Sequence, residues 1–181
     1  IIGVFDGKVK IMRGSLIGSY SWESSADSIN SGYGVIEWAQ AELMKLLNSG
    51  YESESVGGSL YWNAKSGMCY SSTSNGKKAC NFTITGLKND MTRNLIAETT
   101  YYTRGHNSSS IYVDAMYDRE RVSGTLITGV TPTRTLTWTG KVAVAYPSDY
   151  GYAADLSLCQ KQLISYNDAI CTANNWRKNI F

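Results

Sequence analysis

Few side chains in this sequence could carry out acid–base chemistry. His106 is the only histidine, and it lies in the polar stretch RGHNSSS, where we expect a solvated loop residue. A hydrolytic triad requires a base placed beside a nucleophile. A lone histidine in a loop gives little support for that arrangement, so the sequence does not predict a triad.

Three carboxylates lie close together in the stretch IYVDAMYDRER: Asp114, Asp118 and Glu120. Because paired carboxylates carry out glycoside hydrolysis, a secreted carbohydrate-active hydrolase is one alternative function. On a helix, however, these side chains alternate with Arg119 and Arg121, a pattern typical of a charged, solvated face. We therefore expect that the chain is not an enzyme.

The corner YPSDYGYA follows the apolar stretch VAVA and is a candidate ligand site. Binding residues favour loops that are held on a rigid sheet, so Asp149, Tyr150 and Tyr152 could line a ligand groove. The competing interpretation is structural. In it, Ser148 and Asp149 accept backbone N–H bonds within a turn, and Gly151 takes a positive φ.

The stretch SYSWESS, with Tyr20 and Trp22, is the other candidate rim of a ligand site. The alternative is an aromatic cluster at the end of a strand. The chain contains 13 tyrosines and 5 tryptophans, and such rigid amphipathic rings suit adaptable contact surfaces. The predicted ligand-binding residues are therefore Asp149, Tyr150, Tyr152, Tyr20 and Trp22.

The four cysteines form two local pairs, each bracketing a polar stretch. Four cysteines allow three connectivities, which sequence alone does not distinguish; the simplest joins Cys69 to Cys80 and Cys159 to Cys171. Neither pair has C-x-x-C spacing, so we expect no zinc site. No calcium-binding or phosphate-binding pattern occurs either, and we expect no metal and no cofactor. Disulfides imply an oxidising, extracellular setting.

Composition restricts the partners. The chain has 17 basic and 15 acidic residues and no basic face, which argues against nucleic acid as a partner. No apolar run in these residues approaches the length of a membrane span, and they contain no signal-peptide pattern; we expect a signal or an anchor upstream. A length of 181 residues suits one domain with its own core. We predict a single domain over 1–181 and, because IIGVF reads as a core strand, a fragment of a longer surface protein.

The clearest element is a hairpin in IIGVFDGKVKIM. Asp6-Gly7 between two alternating runs is the strongest short-range hairpin signal. It places Phe5 opposite Lys8 and Val4 opposite Val9. The face that we predict to point into the core consists of Ile2, Val4, Val9 and Ile11.

Helical spacing of apolar residues predicts helices over 35–50 and 87–102 and a shorter one over 111–121. The first should bury Val35, Ile36, Ala39, Leu43, Leu46 and Leu47, and the second Leu87, Met91 and Leu95. A second hairpin is predicted over 133–147, turning at Thr139-Gly140, with a central strand that carries Val142, Val144 and Tyr146. The predicted class is α+β, with two β-hairpins, two to three helices and two disulfides.

Several blocks of the sequence resemble a broad family of surface domains from Gram-positive, largely gut-associated bacteria. They are IIGVFDGKVKI, GYGVIEWAQAELMKLLNSGY, SLYWN, TWTGKVAVAYPSDYGYA and the late C…C…NNW pattern, and they span nearly the whole chain. The resemblance implies a C-type-lectin-like fold similar to that of the formylglycine-generating and sulfatase-modifying proteins. Family members often carry a pilin-like N-terminal helix or another surface anchor. They also continue into further strands where this chain stops at Phe181.

The resemblance and the composition together imply an extracellular domain attached to a cell surface. Its expected function is binding or adhesion, or service as the globular head of a pilin-like filament subunit. Expected partners are a protein or glycan on a host or microbial surface, together with neighbouring filament subunits. The alternatives are the secreted hydrolase and a purely structural filament subunit without a ligand.

Overall fold

The computed structural model describes residues 1–24, 37–71, 76–103, 112, 115–121, 137–153, 155–160, 162 and 168–174. This part of the chain has a mixed α/β fold of short helices, three two-stranded sheets and two disulfides. The mixed class is therefore confirmed at this level, whereas the C-type-lectin-like fold and the single domain stay predictions. His106 and Asp114 lie outside the described residues.

The elements are short. In chain order they are β1 (Gly3–Phe5), β2 (Lys8–Lys10), a 3-10 helix (Trp38–Gln40), α1 (Glu42–Leu47), β3 (Ser66–Tyr70), β4 (Lys77–Asn81), α2 (Asp90–Leu95), β5 (Thr99–Tyr102), α3 (Met116–Arg121), β6 (Thr137–Gly140), α4 (Pro147–Ala153) and α5 (Ala169–Ala173). The sheets are β1-β2, β3-β4 and β5-β6.

The chain divides into two compact units. The first draws on Ile1–Leu16, Tyr102–Thr137 and Val144–Phe181, and the second on Ile17–Tyr101 and Trp138–Ala143. The first unit contains the β1-β2 hairpin and the helices α3, α4 and α5. In the second, the 3-10 helix and α1 supply much of the core, which includes Trp38, Ala41, Met44, Leu46 and Leu47 together with Phe82.

The first hairpin has the predicted register. Val4 lies opposite Val9 and Phe5 opposite Lys8 in an antiparallel pair. Asp6 and Gly7 have φ values of 48° and 71°, and two successive positive φ angles characterise the type I′ turn that suits a two-residue hairpin. The Asp-Gly signal therefore correctly predicted both the turn and the pairing.

The predicted core face of this hairpin is wrong. Val4, Val9 and Ile11 are 65%, 57% and 71% exposed, and only Ile2 is buried. The opposite face packs instead, because Phe5 contacts the ring of Tyr152 with centroids 5.3 Å apart. Alternation along the strands is real, but a contact distant in sequence selects the buried face.

The helix predicted over 35–50 is interrupted. Ala41 takes an extended conformation between the 3-10 helix and α1, and α1 ends at Leu47, close to the predicted stop. Trp38, Met44, Leu46 and Leu47 are buried. Val35 and Ile36 lie outside the described residues.

The predicted second hairpin is also wrong. β6 pairs with β5, and residues 142–146 form no strand. Asn48 gives the physical reason. Its side chain takes up both hydrogen-bonding groups of the Val142 backbone, so that neither is available to a strand partner. Its Nδ2 donates to the Val142 carbonyl at 2.9 Å, and its Oδ1 accepts the Val142 N–H at 2.9 Å.

The helix predicted over 87–102 is much shorter. Asn89 caps α2 by accepting the Thr92 N–H at 2.8 Å, and the chain then enters β5 rather than continuing as a helix. Met91 and Leu95 are 77% and 80% exposed, so α2 buries no residue of its own. The apolar spacing at these two positions is not a core face.

Both local disulfides are confirmed. Cys69 of β3 bonds Cys80 of β4, with Cα atoms 5.9 Å apart. Cys159 bonds Cys171 of α5, with Cα atoms 4.7 Å apart. Each bridge closes the polar excursion between its cysteines, as the spacing predicts. Such bridges are typical of proteins that fold in an oxidising compartment.

Candidate functional site

The corner YPSDYGYA forms a helix rather than a turn. Pro147 is the first residue of α4, a position where its fixed φ suits a helix and its missing N–H is not needed. Asp149 Oδ2 accepts the Tyr146 N–H at 3.0 Å, so this carboxylate satisfies a free donor at the helix start. The bond fits the structural interpretation of Asp149. Gly151 lies within the helix, and the predicted positive φ there is wrong.

Asp149 is also tied to the hairpin. Its Oδ1 lies 2.5 Å from Lys10 Nζ, and the side chains of Lys10 and Asp149 are 32% and 4% exposed. The ion pair joins β2 to α4 within the first unit. The buried Asp149 is therefore an anchor of α4 rather than an open groove residue in this conformation.

Glu120 of α3 is the second buried carboxylate. It is 2% exposed, and its Oε1 accepts the Ser148 N–H of α4 at 3.0 Å. Burial raises the pKa of Glu120 to about 7; the Asp149 charge also raises it, whereas the Ser148 hydrogen bonds and Arg121 act in the opposite direction. We call Glu120 and Asp149 the acidic anchor, since both hold the first turn of α4.

The acidic anchor also affects the pKa of the Tyr146 phenol. Burial is the largest cause that raises the pKa of this phenol, and the charges of Glu120 and Asp149 add to it, for a value of about 12. A carboxyl group with a pKa near 7 beside another carboxylate has the general acid–base pattern of a glycosidase. Here, however, Glu120 Oε1 and both oxygens of Asp149 are occupied by groups of the chain itself. The contacts hold α4 in place.

Tyr152 presents an exposed ring from the same helix. It is 55% exposed, yet its ring rests against Phe5 at an angle of 55° between planes. A Cβ added to Gly3 would come within 2.9 Å of the Tyr152 ring, so glycine at this position gives the ring room to approach β1. Tyr150 lies in α4 as well. An exposed aromatic ring is thus held in one place by α4, β1 and the acidic anchor.

A second exposed tyrosine lies on α3. Tyr117 is 43% exposed, and the Arg121 guanidinium lies 3.5 Å from its ring centroid. Arg121 Nη1 also donates to the Tyr117 carbonyl at 3.0 Å. The sequence interpretation treated this helix only as a charged face and missed Tyr117; the Tyr–Arg spacing of four residues was the available signal.

Tyr20 and Trp22 belong to the second unit. The Tyr20 ring lies 5.3 Å from Phe82, with Lys78 Nζ 4.9 Å from its centroid. Burial raises the pKa of Tyr20. The Trp22 ring lies 5.2 Å from Trp38. Both rings are half-buried in aromatic contacts, although no strand of the structure contains them.

Comparison of the chain with known proteins found no relative. No family model, curated protein or solved structure matches the chain. Among the described residues, no group of three or more His, Cys, Asp or Glu side chains could hold a metal ion. No helix in that part of the chain has the length and apolar character needed to cross a bilayer.

Proposed function

We propose that this chain is an extracellular binding domain that contacts a protein or glycan on a host or microbial surface. Tyr152 of α4 and Tyr117 of α3, two exposed tyrosines of the first unit, would make the central contacts, and we call these two residues the tyrosine surface. The domain would be displayed at a cell surface, as the family resemblance implies. A carbohydrate-active hydrolase is not proposed, because Glu120 and Asp149 are at most 3% exposed and are bonded within the chain.

The observation that carries the proposal is the fixed exposure of Tyr152. An exposed side chain normally loses rotamer freedom when a partner binds, which weakens binding. The Tyr152 ring is already held against Phe5, on a helix anchored by Asp149 and Glu120. A rigid ring with an apolar body and a hydroxyl tip therefore offers contact area at low entropic cost.

An adhesion assay tests the proposed function. Beads carrying the disulfide-intact chain are measured for saturable binding to immobilised mucin, to cultured epithelial cells and to whole bacterial cells. We expect binding to at least one surface, with Tyr152→Ala weakening it by about tenfold or more, as expected when a central aromatic contact is lost. Tyr152→Phe should retain more of the binding, because it keeps the ring.

Ile84→Ala is the matched control. Ile84 is 80% exposed and belongs to the second unit, so its truncation should leave adhesion unchanged. Absence of saturable binding to all three surfaces would contradict the proposed function. Equal losses for Tyr152→Ala and Ile84→Ala would contradict the tyrosine surface.

A second candidate is a filament subunit that contacts neighbouring copies, with or without another ligand. The observation that favours it is the outward face of the hairpin, where Val4, Val9 and Ile11 are all more than half exposed. Within the part of the chain that the structure describes, β1 and β2 pair with each other and with no third strand, and an unpaired strand edge is a template for another chain. The occupant would be a second copy that packs against this face.

Light scattering over a concentration series tests this candidate. Self-association that Val9→Glu abolishes, and that Lys8→Glu leaves intact, would support it. A monomer at every concentration, or equal effects of the two substitutions, would count against it. Lys8 is the control because it adjoins Val9 on the same strand and is exposed.

A further inference from the structure

Among the described residues of the second unit, three side-chain polar atoms are buried without a hydrogen-bond partner: Trp22 Nε1, Trp38 Nε1 and Glu42 Oε2. Buried polar groups are nearly always paired, and an unpaired one costs about 1–3 kcal/mol. Trp38 is 2% exposed, so solvent does not satisfy its indole. The fold maintains two unused donors and one unused acceptor in this region.

The three residues belong to one neighbourhood. The rings of Trp22 and Trp38 lie 5.2 Å apart. The Trp22 carbonyl accepts the Leu43 N–H at 3.2 Å, which places Trp22 against the first turn of α1, where Glu42 begins the helix. Trp38 begins the 3-10 helix, and only Ala39, Gln40 and Ala41 separate it from Glu42 in the chain.

The unpaired atoms define what a ligand would have to supply. Two indole N–H groups need acceptors, and a carboxylate oxygen needs a donor. The other oxygen of Glu42 is already bonded to Lys45 Nζ at 3.0 Å, and burial raises the pKa of Glu42. A simple cation would satisfy the carboxylate but neither indole. Hydroxyl groups both donate and accept, and sugar rings also present C–H faces to aromatic walls.

We propose that Trp22, Trp38 and Glu42 form a subsite for a hydroxyl-rich ligand, a carbohydrate. We place the entrance beside Trp22, because this residue is half-buried, whereas Trp38 is buried and packs at 89° to the ring of Trp138. The subsite shares no residue with the tyrosine surface. The adhesion assay and the sugar titration can therefore fail independently of each other.

The test is NMR titration of the disulfide-intact chain carrying ¹⁵N-labelled indoles. The probes are glycerol, D-glucose, D-galactose, D-mannose and N-acetyl-D-glucosamine. The chain has 5 tryptophans, and Trp22→Phe and Trp38→Phe assign the two relevant N–H signals. We expect those two signals to shift saturably with at least one sugar, because its hydroxyl groups become their acceptors.

Glu42→Gln and Glu54→Gln are the matched pair of variants. Both carboxylates contact Lys45, but only Glu42 has the unpaired buried oxygen. Glu42→Gln should weaken sugar binding by about tenfold, the loss expected for one hydrogen bond to a charged group. Glu54→Gln should change it less than twofold.

Three results would overturn the proposal. The first is no shift of the two indole signals with any sugar, as expected if a water molecule alone fills the subsite. The second is equal weakening by Glu42→Gln and Glu54→Gln. The third is a shift with tetramethylammonium and not with sugars, which would indicate recognition of a cation. The Glu42→Gln comparison remains decisive if a tryptophan variant fails to fold.

Discussion

Lys10 Nζ lies 2.5 Å from Asp149 Oδ1, and this ion pair joins the first hairpin to α4 across 139 positions of the chain. Asp149 is the more deeply buried partner, with its side chain 4% exposed. A buried carboxylate needs its partner, because loss of one charge leaves the other unpaired in a low-dielectric setting. The placement of Tyr152 on α4 therefore depends on a residue near the start of the chain.

We expect Lys10→Met to destabilise the fold by on the order of 2 kcal/mol, less than for a fully buried pair because Lys10 is about a third exposed. Urea unfolding at pH 7 measures the change. Lys8→Met is the control, since Lys8 is exposed on the same strand and should cost little. Equal losses for the two variants would show that the ion pair does not stabilise α4.

Glu120 predicts a dependence of stability on pH. Its pKa is about 7 in the folded chain against the ordinary value of 4.5, so folding favours the protonated form. This contribution is fully present below pH 4.5 and is lost as pH rises through about 7, an effect on the order of 3 kcal/mol.

Glu120→Gln removes the titrating group while its carbonyl oxygen can still accept the Ser148 N–H. We expect the wild-type chain to lose stability relative to this variant as pH rises from 5 to 8, in urea unfolding at each pH. The groups that face Glu120 are Asp149, Arg121, Ser148 and Tyr146. A difference between the two proteins that is the same at pH 5 and pH 8 would contradict the assignment.

We expect the Asn48 side chain to contribute more to the free energy of unfolding than a polar side chain usually does. Its side chain bonds the Met44 carbonyl and both backbone groups of Val142. Asn48→Ala removes the side-chain partners of both Val142 groups, whereas the Met44 carbonyl keeps the backbone N–H of residue 48. We expect a loss of about 2–3 kcal/mol in thermal or urea unfolding. Asn63→Ala is the control, because its bond to Glu52 is exposed. A loss no larger than that of Asn63→Ala would refute the role of Asn48.

The hairpin shows which information the sequence contains and which it lacks. Asp6-Gly7 determines the turn and the register locally, and both were predicted. Which face of the hairpin is buried depends on Phe5 meeting Tyr152 and Lys10 meeting Asp149. These partners lie far away in the chain, so alternation alone does not identify them.

The candidate site shows the same limit. YPSDYGYA reads as a turn because proline, serine, aspartate and glycine are all common turn residues. The signal for a helix was Pro147 followed two residues later by Asp149. Pro147 begins α4, and Asp149 caps it. The burial of Glu120 beneath this helix had no local signal, because a charged residue beside arginines is normally solvated. The local disulfide pairing, by contrast, was the simplest of the three connectivities that four cysteines allow, and it is confirmed.

The proposed function requires that Tyr152 and Tyr117 contact the partner. Hydroxyl-radical footprinting of the chain, free and bound to the surface that it binds best in the adhesion assay, tests this directly by measuring oxidation of exposed side chains. We expect binding to reduce oxidation of Tyr152 and Tyr117, while Met91, which is 77% exposed in the second unit, oxidises as before. Unchanged oxidation of both tyrosines in the bound state, or protection of Met91 alone, would contradict it.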